Sequence, residues 1–111
     1  MRDDLSPGLQ IAQVAHGMAE FCRNHPEPAA AWINGSNYIA VLAVPDEQTL
    51  LDHHDVLVGW CGPHLADFNG IPHTLVHEPD IGEHTALVIA PSNYYKRLSN
   101  LPCALREPAM A

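Results

Sequence analysis

Two groups of residues in this 111-residue chain have the types and spacing to do chemistry. Gln13 and His16 stand three positions apart, so on a helix they are neighbours. They follow closely on the start of that helix, where unpaired N–H groups attract negative charge. An amide and an imidazole so placed can orient a carbonyl or a water. The second group is the turn Glu78-Pro79-Asp80, which closes one apolar run and precedes Glu83-His84-Thr85 at the start of the next. Carboxylates held at strand ends are where many α/β sites place a general base. Each group also has a plainer reading. The first is then a polar helix face with one hydrogen-bonded histidine, the second a solvated acidic turn in which Asp80 caps its own backbone.

Other chemistries lack their residues. The chain has eight histidines, but its one H-x-x-x-H pair, His73 and His77, falls in an expected strand, where the two stand about 13 Å apart. That is too far for one ion, so neither a metal nor another cofactor is expected. No G-x-S-x-G elbow and no phosphate-cradling glycine loop occurs. Cys22, Cys61 and Cys103 form no C-x-x-C pair, which argues against a disulfide framework and fits a reducing cytoplasm. The net charge of −8 opposes non-specific contact with phosphate backbones. The longest run free of strongly polar residues, Tyr38 to Pro45, is far short of the ~20 residues that span a bilayer. The start, Met1-Arg2-Asp3-Asp4, is unlike a signal peptide, so a cytoplasmic location and no membrane partner are expected.

The elements that must position these groups follow from pattern. Ser6-Pro7 is a helix start and His25-Pro26 a stop, predicting a helix over about 7–24. Its apolar stripe is Ile11, Val14, Ala15, Met18, Phe21 and Cys22, with Gln10, Gln13, Gly17 and Glu20 on the opposite face and His16 at the margin. A short helical turn is expected around 28–33. Tyr38 to Val44 is continuously apolar and reads as a strand central in a sheet, covered on both faces. Asp46-Glu47 opens a second long helix that buries Leu50, Leu51, His54, Leu57 and Val58 and ends at Gly59 or Gly62. A loop is expected over 60–72. Strands follow at 73–77 and 85–90, and a closing helix at 91–98. The order describes one α/β domain over 1–101 with a loose tail over 102–111. A strand–helix–strand unit needs an apolar strand ahead of Asp4-Leu5. Either translation starts upstream of Met1 or the sheet keeps an open edge for a partner, a second copy of the chain included.

The segment from Arg2 to His16 resembles the opening of the type 2 peptidyl-tRNA hydrolases, an R-x-D-L start followed by G-K-x-A-A-Q-x-x-H-A on the first helix. Val44-Pro45-Asp46-Glu47-Gln48-Thr49-Leu50 is similar to their A-P-D-E-x-T-L helix start. Leu75-Val76-His77-Glu78 is similar to their strand ending in an acidic residue, and Thr85 to Pro91 to their last strand. The resemblance spans about residues 2–98. It implies a three-layer α/β/α fold around a small mixed sheet whose first strand is missing here. It also implies cleavage of the ester joining a peptide, or an N-blocked amino acid, to tRNA. Gln13, His16, Glu78 and Thr85 take the catalytic positions, and Gly8, Leu9 and Asp80 lie against the substrate. Peptidyl-tRNA or aminoacyl-tRNA would be the partner. Leu9 stands where the family carries lysine, and the D-A-G-x-T-Q turn is replaced by Glu78 to Gly82. These departures, with the acidic charge, motivate an alternative: a non-catalytic module on the same fold that binds a protein or small ligand.

Overall fold

The structure is a computed structural model and describes residues 1–64 and 71–105. Its first helix, α1, runs Pro7–Asn24, between the limits that the proline signals predict. The Ser6 hydroxyl accepts from the Leu9 N–H at 3.3 Å, and the His25 N–H closes the other end on the Phe21 carbonyl at 2.8 Å. A second helix, α2, follows at once over Pro26–Asn34, a full nine-residue helix rather than a short turn, because proline suits its first position. The third helix, α3, covers Glu47–His64 and passes through both Gly59 and Gly62, one or the other of which is expected to end it. At its start the Asp46 carboxylate accepts from the Thr49 N–H at 2.8 Å, which also lowers the Asp46 pKa.

Strands β1, His73–Glu78, and β2, Glu83–Ile89, form an antiparallel hairpin. Its turn closes through the Gly82 N–H on the Glu78 carbonyl at 2.9 Å, with Gly82 at φ 66°, a conformation natural to glycine. The chain then makes a 3-10 helix over Asn93–Leu98, two residues later at its start than the closing helix expected over 91–98. Ser92 caps it by accepting from the Tyr94 N–H at 3.2 Å. The result is a small mixed α/β domain, and among the described residues no helix is long and apolar enough to cross a membrane.

Residues 38–44 depart most from expectation. They form no full strand: Val44 bridges to Arg2 in parallel and Leu42 to Cys103 antiparallel. Tyr38 is 76 % exposed, and Ile39 is half exposed. An apolar run buries itself only where neighbouring strands flank it, and among the described residues no strand lies beside 38–40. The segment after Pro102, expected to be loose, begins bound, since Ala43 donates to the Pro102 carbonyl and Ala104 to that of Val41, each at 2.8 Å. Residues 106–111, and 65–70 of the expected loop, lie outside the described part.

The core gathers Phe21, Ala29, Leu57, Ile71, Ala90 and Tyr94, with a second cluster of Met1, Val76 and Ala86. Helix α1 packs on both strands and α3 on β2. The face of α1 that meets the hairpin is not the predicted apolar stripe. Gln10, Gln13, Gly17 and Phe21 are buried, whereas Ile11 is 60 % exposed and Ala15 and Cys22 are also exposed. Gly17 explains the rotation: a Cβ there would stand 2.8 Å from Val88 Cγ2 and 3.2 Å from Val76 Cγ2, so only glycine lets the helix sit this close. Of the residues expected inside α3, Leu50 and Leu57 are buried, His54 and Leu51 are half-buried, and Val58 is exposed.

Candidate functional site

The glutamines on the buried face of α1 are tolerated because they are hydrogen-bonded. Gln10 donates to the Leu5 carbonyl at 2.8 Å. Gln13, with 0 % exposure, joins two hairpin residues: its Nε2 donates to Glu78 Oε2 at 2.9 Å, and its Oε1 accepts from the Thr85 hydroxyl at 2.7 Å. The two bonds fix the amide, since only its nitrogen can donate to a carboxylate.

Thr85 reaches Gln13 because of an irregularity in the hairpin. Val76 pairs with Ala86 and His77 with His84, leaving Thr85 as an extra residue without a partner on β1. Such a bulge re-aims a side chain. In regular alternation Thr85 would face away from Ala86. Instead both are on the side of α1, where Ala86 joins Val76, Val14 and Val88, and the Thr85 hydroxyl is fully buried against Gln13.

Glu78 collects the remaining contacts. Its Oε1 accepts from the Asp80 N–H at 3.1 Å, and its Oε2 lies 3.8 Å from His16 Nδ1, an ionic contact longer than a hydrogen bond. The Glu78 side chain is 12 % exposed and the His16 side chain 60 % exposed, so the imidazole faces solvent while the carboxylate sits beneath it. The Gln13 hydrogen bond lowers the Glu78 pKa below the ordinary 4.5, helped by the Asp80 N–H and by the nearby imidazoles of His16 and His77. Glu78 is therefore ionised at neutral pH. The carboxylate that organises the turn is Glu78 and not Asp80, whose side chain is exposed and which contributes its N–H.

The structure thus brings together Gln13, His16, Glu78, Thr85 and the backbone of Asp80. Gly8 and Leu9 lie apart, in the first turn of α1. Leu9 is half-buried and four positions before Gln13, which places it one turn earlier on the same face. Of the N–H groups at the helix start, those of Leu9 and Gln10 are used by Ser6 and Pro7 has none. The Gly8 N–H is left, with open space around its Cα.

A neighbouring ionic cluster was not signalled by spacing. Arg2, 6 % exposed, grips both oxygens of Asp4 at 2.9 and 2.7 Å and also donates to Glu83 Oε1 at 2.8 Å and to the His84 carbonyl at 3.0 Å. Its hydrogen bond to Asp4 raises its pKa and lowers that of Asp4. The His84 N–H donates to Glu47 Oε2 at 2.7 Å, tying α3 to the same end of the hairpin. The R-x-D element is therefore a clamp: it anchors residues 2–4 on the hairpin that carries Glu78 and Thr85. Only its pairing with Glu83, 81 positions away, reveals this, and no local pattern encodes it. Two histidine pairs stack edge-on, His77 with His84 and His54 with His73, at 5.1 and 5.4 Å between ring centres. Among the described residues no three His, Cys, Asp or Glu side chains converge to hold a metal ion.

Compared with known proteins, the chain matches no family model and no curated protein.

Proposed function

We propose that the chain is a hydrolase of carboxylic esters with the fold and activity type of the type 2 peptidyl-tRNA hydrolases, cleaving the bond between an acyl group and the ribose of tRNA. The observation that carries this reading is the bridge from Thr85 through Gln13 to Glu78. It unites three positions that the motif resemblance singles out, at 2.7 and 2.9 Å, with His16 beside them. The three-layer arrangement belongs to the same reading.

The geometry supports the following roles. Glu78, with its lowered pKa, is a weak proton acceptor and serves as a fixed negative charge. Imidazole is the side chain best suited to exchange protons near neutrality, and Nδ1 of His16 is turned toward that charge. The other ring nitrogen, Nε2, is then free to accept a proton from a water. The water oxygen attacks the ester carbonyl carbon, and the oxyanion forms near the Gly8 N–H at the helix start. When the tetrahedral centre collapses, the C–O bond to the ribose breaks and the ribose oxygen takes the proton from His16. Gln13 and Thr85 hold the carboxylate in place and touch no substrate. Leu9 removes the cation that the related enzymes offer at this point. The reading therefore predicts turnover well below theirs, by several kcal/mol of transition-state stabilisation. Arg23, Lys96 and Arg97 are exposed but Arg2 is consumed by its clamp, so tRNA affinity should be weak and only mildly salt-dependent.

Incubation of the purified protein with N-acetylated aminoacyl-tRNA tests this directly. The expected result is release of the acyl group faster than in buffer at pH 8, falling at pH 6. Release at the buffer rate at both values would remove the reading.

One observation favours the second reading, a binding module without catalysis. Both ends of the Gln13 amide are spent inside the protein and the residue is fully buried, which is what a purely structural network would also require. Leu9→Lys separates the two. A weakened hydrolase gains activity, whereas a binding module remains inert.

A further inference from the structure

The polar site depends on the extra residue in β2, and something has to hold that residue in place. A bulge breaks the ladder locally and leaves backbone groups that must find partners elsewhere. If those partners are lost, the strand is free to slip by one residue and regain regular pairing, which turns the Thr85 side chain to the other face of the hairpin.

At His84 and Thr85 the partners come from outside the hairpin. The His84 N–H donates to Glu47 Oε2 at 2.7 Å, the His84 carbonyl accepts from Arg2 Nη1 at 3.0 Å, and the Thr85 carbonyl accepts from the Arg2 N–H at 3.3 Å. The first two involve an ionised side chain, which makes each about twice as strong as a bond between neutral groups. Arg2 has other duties, since it also grips Asp4 and Glu83. Glu47 is more narrowly employed. Its ionic contact is with the imidazole of the same residue, His84, whose Nδ1 lies 3.5 Å from the oxygen that takes the N–H. The carboxylate is thus nearer to the main chain of the bulge than to the ring, as a prop for backbone would be.

Glu47 is the first residue of α3. An acidic residue there favours the helix dipole wherever its side chain points, so the dipole does not explain why this one reaches across to β2. Its own place is firm on both sides: Asp46 accepts from the Thr49 N–H at 2.8 Å, and Leu50 is buried. From Glu47 the contacts run on without a gap. The His84 N–H fixes the backbone next to Thr85, the Thr85 hydroxyl donates to Gln13 Oε1 at 2.7 Å, and Gln13 Nε2 donates to Glu78 Oε2 at 2.9 Å. That last bond is the main cause of the lowered Glu78 pKa, so a disturbance at Glu47 can be read at the far end.

We propose that Glu47 is a positioning residue: by holding the His84 N–H it keeps the extra residue in β2, and through Thr85 and Gln13 it fixes the Glu78 carboxylate beside His16. Glu47 touches no substrate. Its hold on Glu78 stands on the contacts alone, and only its effect on turnover rests on the hydrolase reading.

The test compares the full chain with Glu47→Ala, Glu47→Gln and Leu57→Val, the last of which loosens α3 at a buried position without touching the bulge. The Glu47 side chain is 31 % exposed, so its truncation opens no cavity in the core. The Glu78 pKa is followed by NMR of its carboxyl carbon, and kcat and KM are measured with N-acetylated aminoacyl-tRNA. Glu47→Ala is expected to raise the Glu78 pKa toward its ordinary 4.5 and to lower kcat by about 10- to 100-fold with KM unchanged. Glu47→Gln keeps an oxygen that can accept from the His84 N–H and is expected to restore both values, and Leu57→Val to leave the Glu78 pKa where it is. An unmoved Glu78 pKa in Glu47→Ala would overturn the role. An equal rise in Glu47→Gln would assign the effect to the charge of the carboxylate, and an equal rise in Leu57→Val to general loosening of α3; either result also overturns it. Turnover at the buffer rate in every form, the parent included, would remove the hydrolase reading, and the NMR titration would then decide the role of Glu47 by itself.

Discussion

The hairpin and the segment 38–44, on two flanks of the molecule, use similar residues and meet different fates. On the hairpin flank, Thr74, Val76, Thr85 and Ala86 are buried under α1, and even the polar members have partners. On the flank of residues 38–44, a more apolar sequence leaves Tyr38, Ile39 and Ala40 exposed and carries two isolated bridges. Composition therefore does not decide which flank is ordered around a core. Burial follows from having a paired strand alongside and a helix close above, and only the hairpin has both.

The largest way to break this contrast is to lift α1 from the hairpin. Gly17→Val puts a branched side chain where even a Cβ stands 2.8 Å from Val88. It should cost about 2–4 kcal/mol, read as a lower urea midpoint with the slope unchanged. An unchanged midpoint would show that the helix does not rest on the strands.

Acid sharpens the contrast by a smaller amount, because the carboxylates with lowered pKa include Glu78 and Asp4 on the hairpin flank. In the folded state each binds a proton less readily than in the unfolded chain. Their stabilisation is therefore complete above their ordinary values of 4.5 and 3.8 and is lost as pH falls through the lowered folded values. His54 has the same sign for a different reason: burial, seconded by His73, lowers its pKa from 6.5, so its neutral form is favoured in the fold. Stability should begin to fall below pH 6.5 and fall again below 4.5. Melting curves against pH measure both steps. Gln13→Leu, which removes the main cause of the Glu78 shift, should flatten the second step while leaving the first.

The smallest effect is expected on the open flank. Ile39→Ser should change stability by no more than about 0.5 kcal/mol, since the side chain is already half exposed. A loss of several kcal/mol in urea unfolding would mean that the flank is packed after all.

How much of this could be read from the sequence differs by element. The ends of α1 were legible because Ser6-Pro7 and His25-Pro26 act on the local backbone. The hairpin was legible because two β-rich runs bracket a proline and a glycine. The buried face of α1 was not. Gln10 and Gln13 look like solvent residues until Leu5, Glu78 and Thr85 are known to receive their hydrogen bonds, and Gly17 looks neutral until Val76 and Val88 are known to press on it. The run 38–44 misled for a related reason. An apolar pattern states what a strand needs around it and is silent on whether those neighbours are present. Within the candidate site, residue identities came from motif spacing, but the order of contact did not. That Glu78 organises the turn, that Gln13 bridges rather than points outward, and that Arg2 clamps the hairpin all depend on pairs more than 60 positions apart or on backbone geometry.

The extra residue in β2 sets different tolerances on the two ends of the hairpin. Lengthening or trimming loop residues 79–82 would cost the Glu78 carboxylate its bond from the Asp80 N–H, but would leave the strand register and the Thr85–Gln13–Glu78 bridge in place. A deletion of one amino acid between His84 and Ala86 is another matter. It would restore regular alternation, leave no hydroxyl facing the helix amide, and abolish the bridge in a single step while the apolar packing survived. Natural variation in length should therefore cluster at the tip and avoid that point, whichever task the bridge serves.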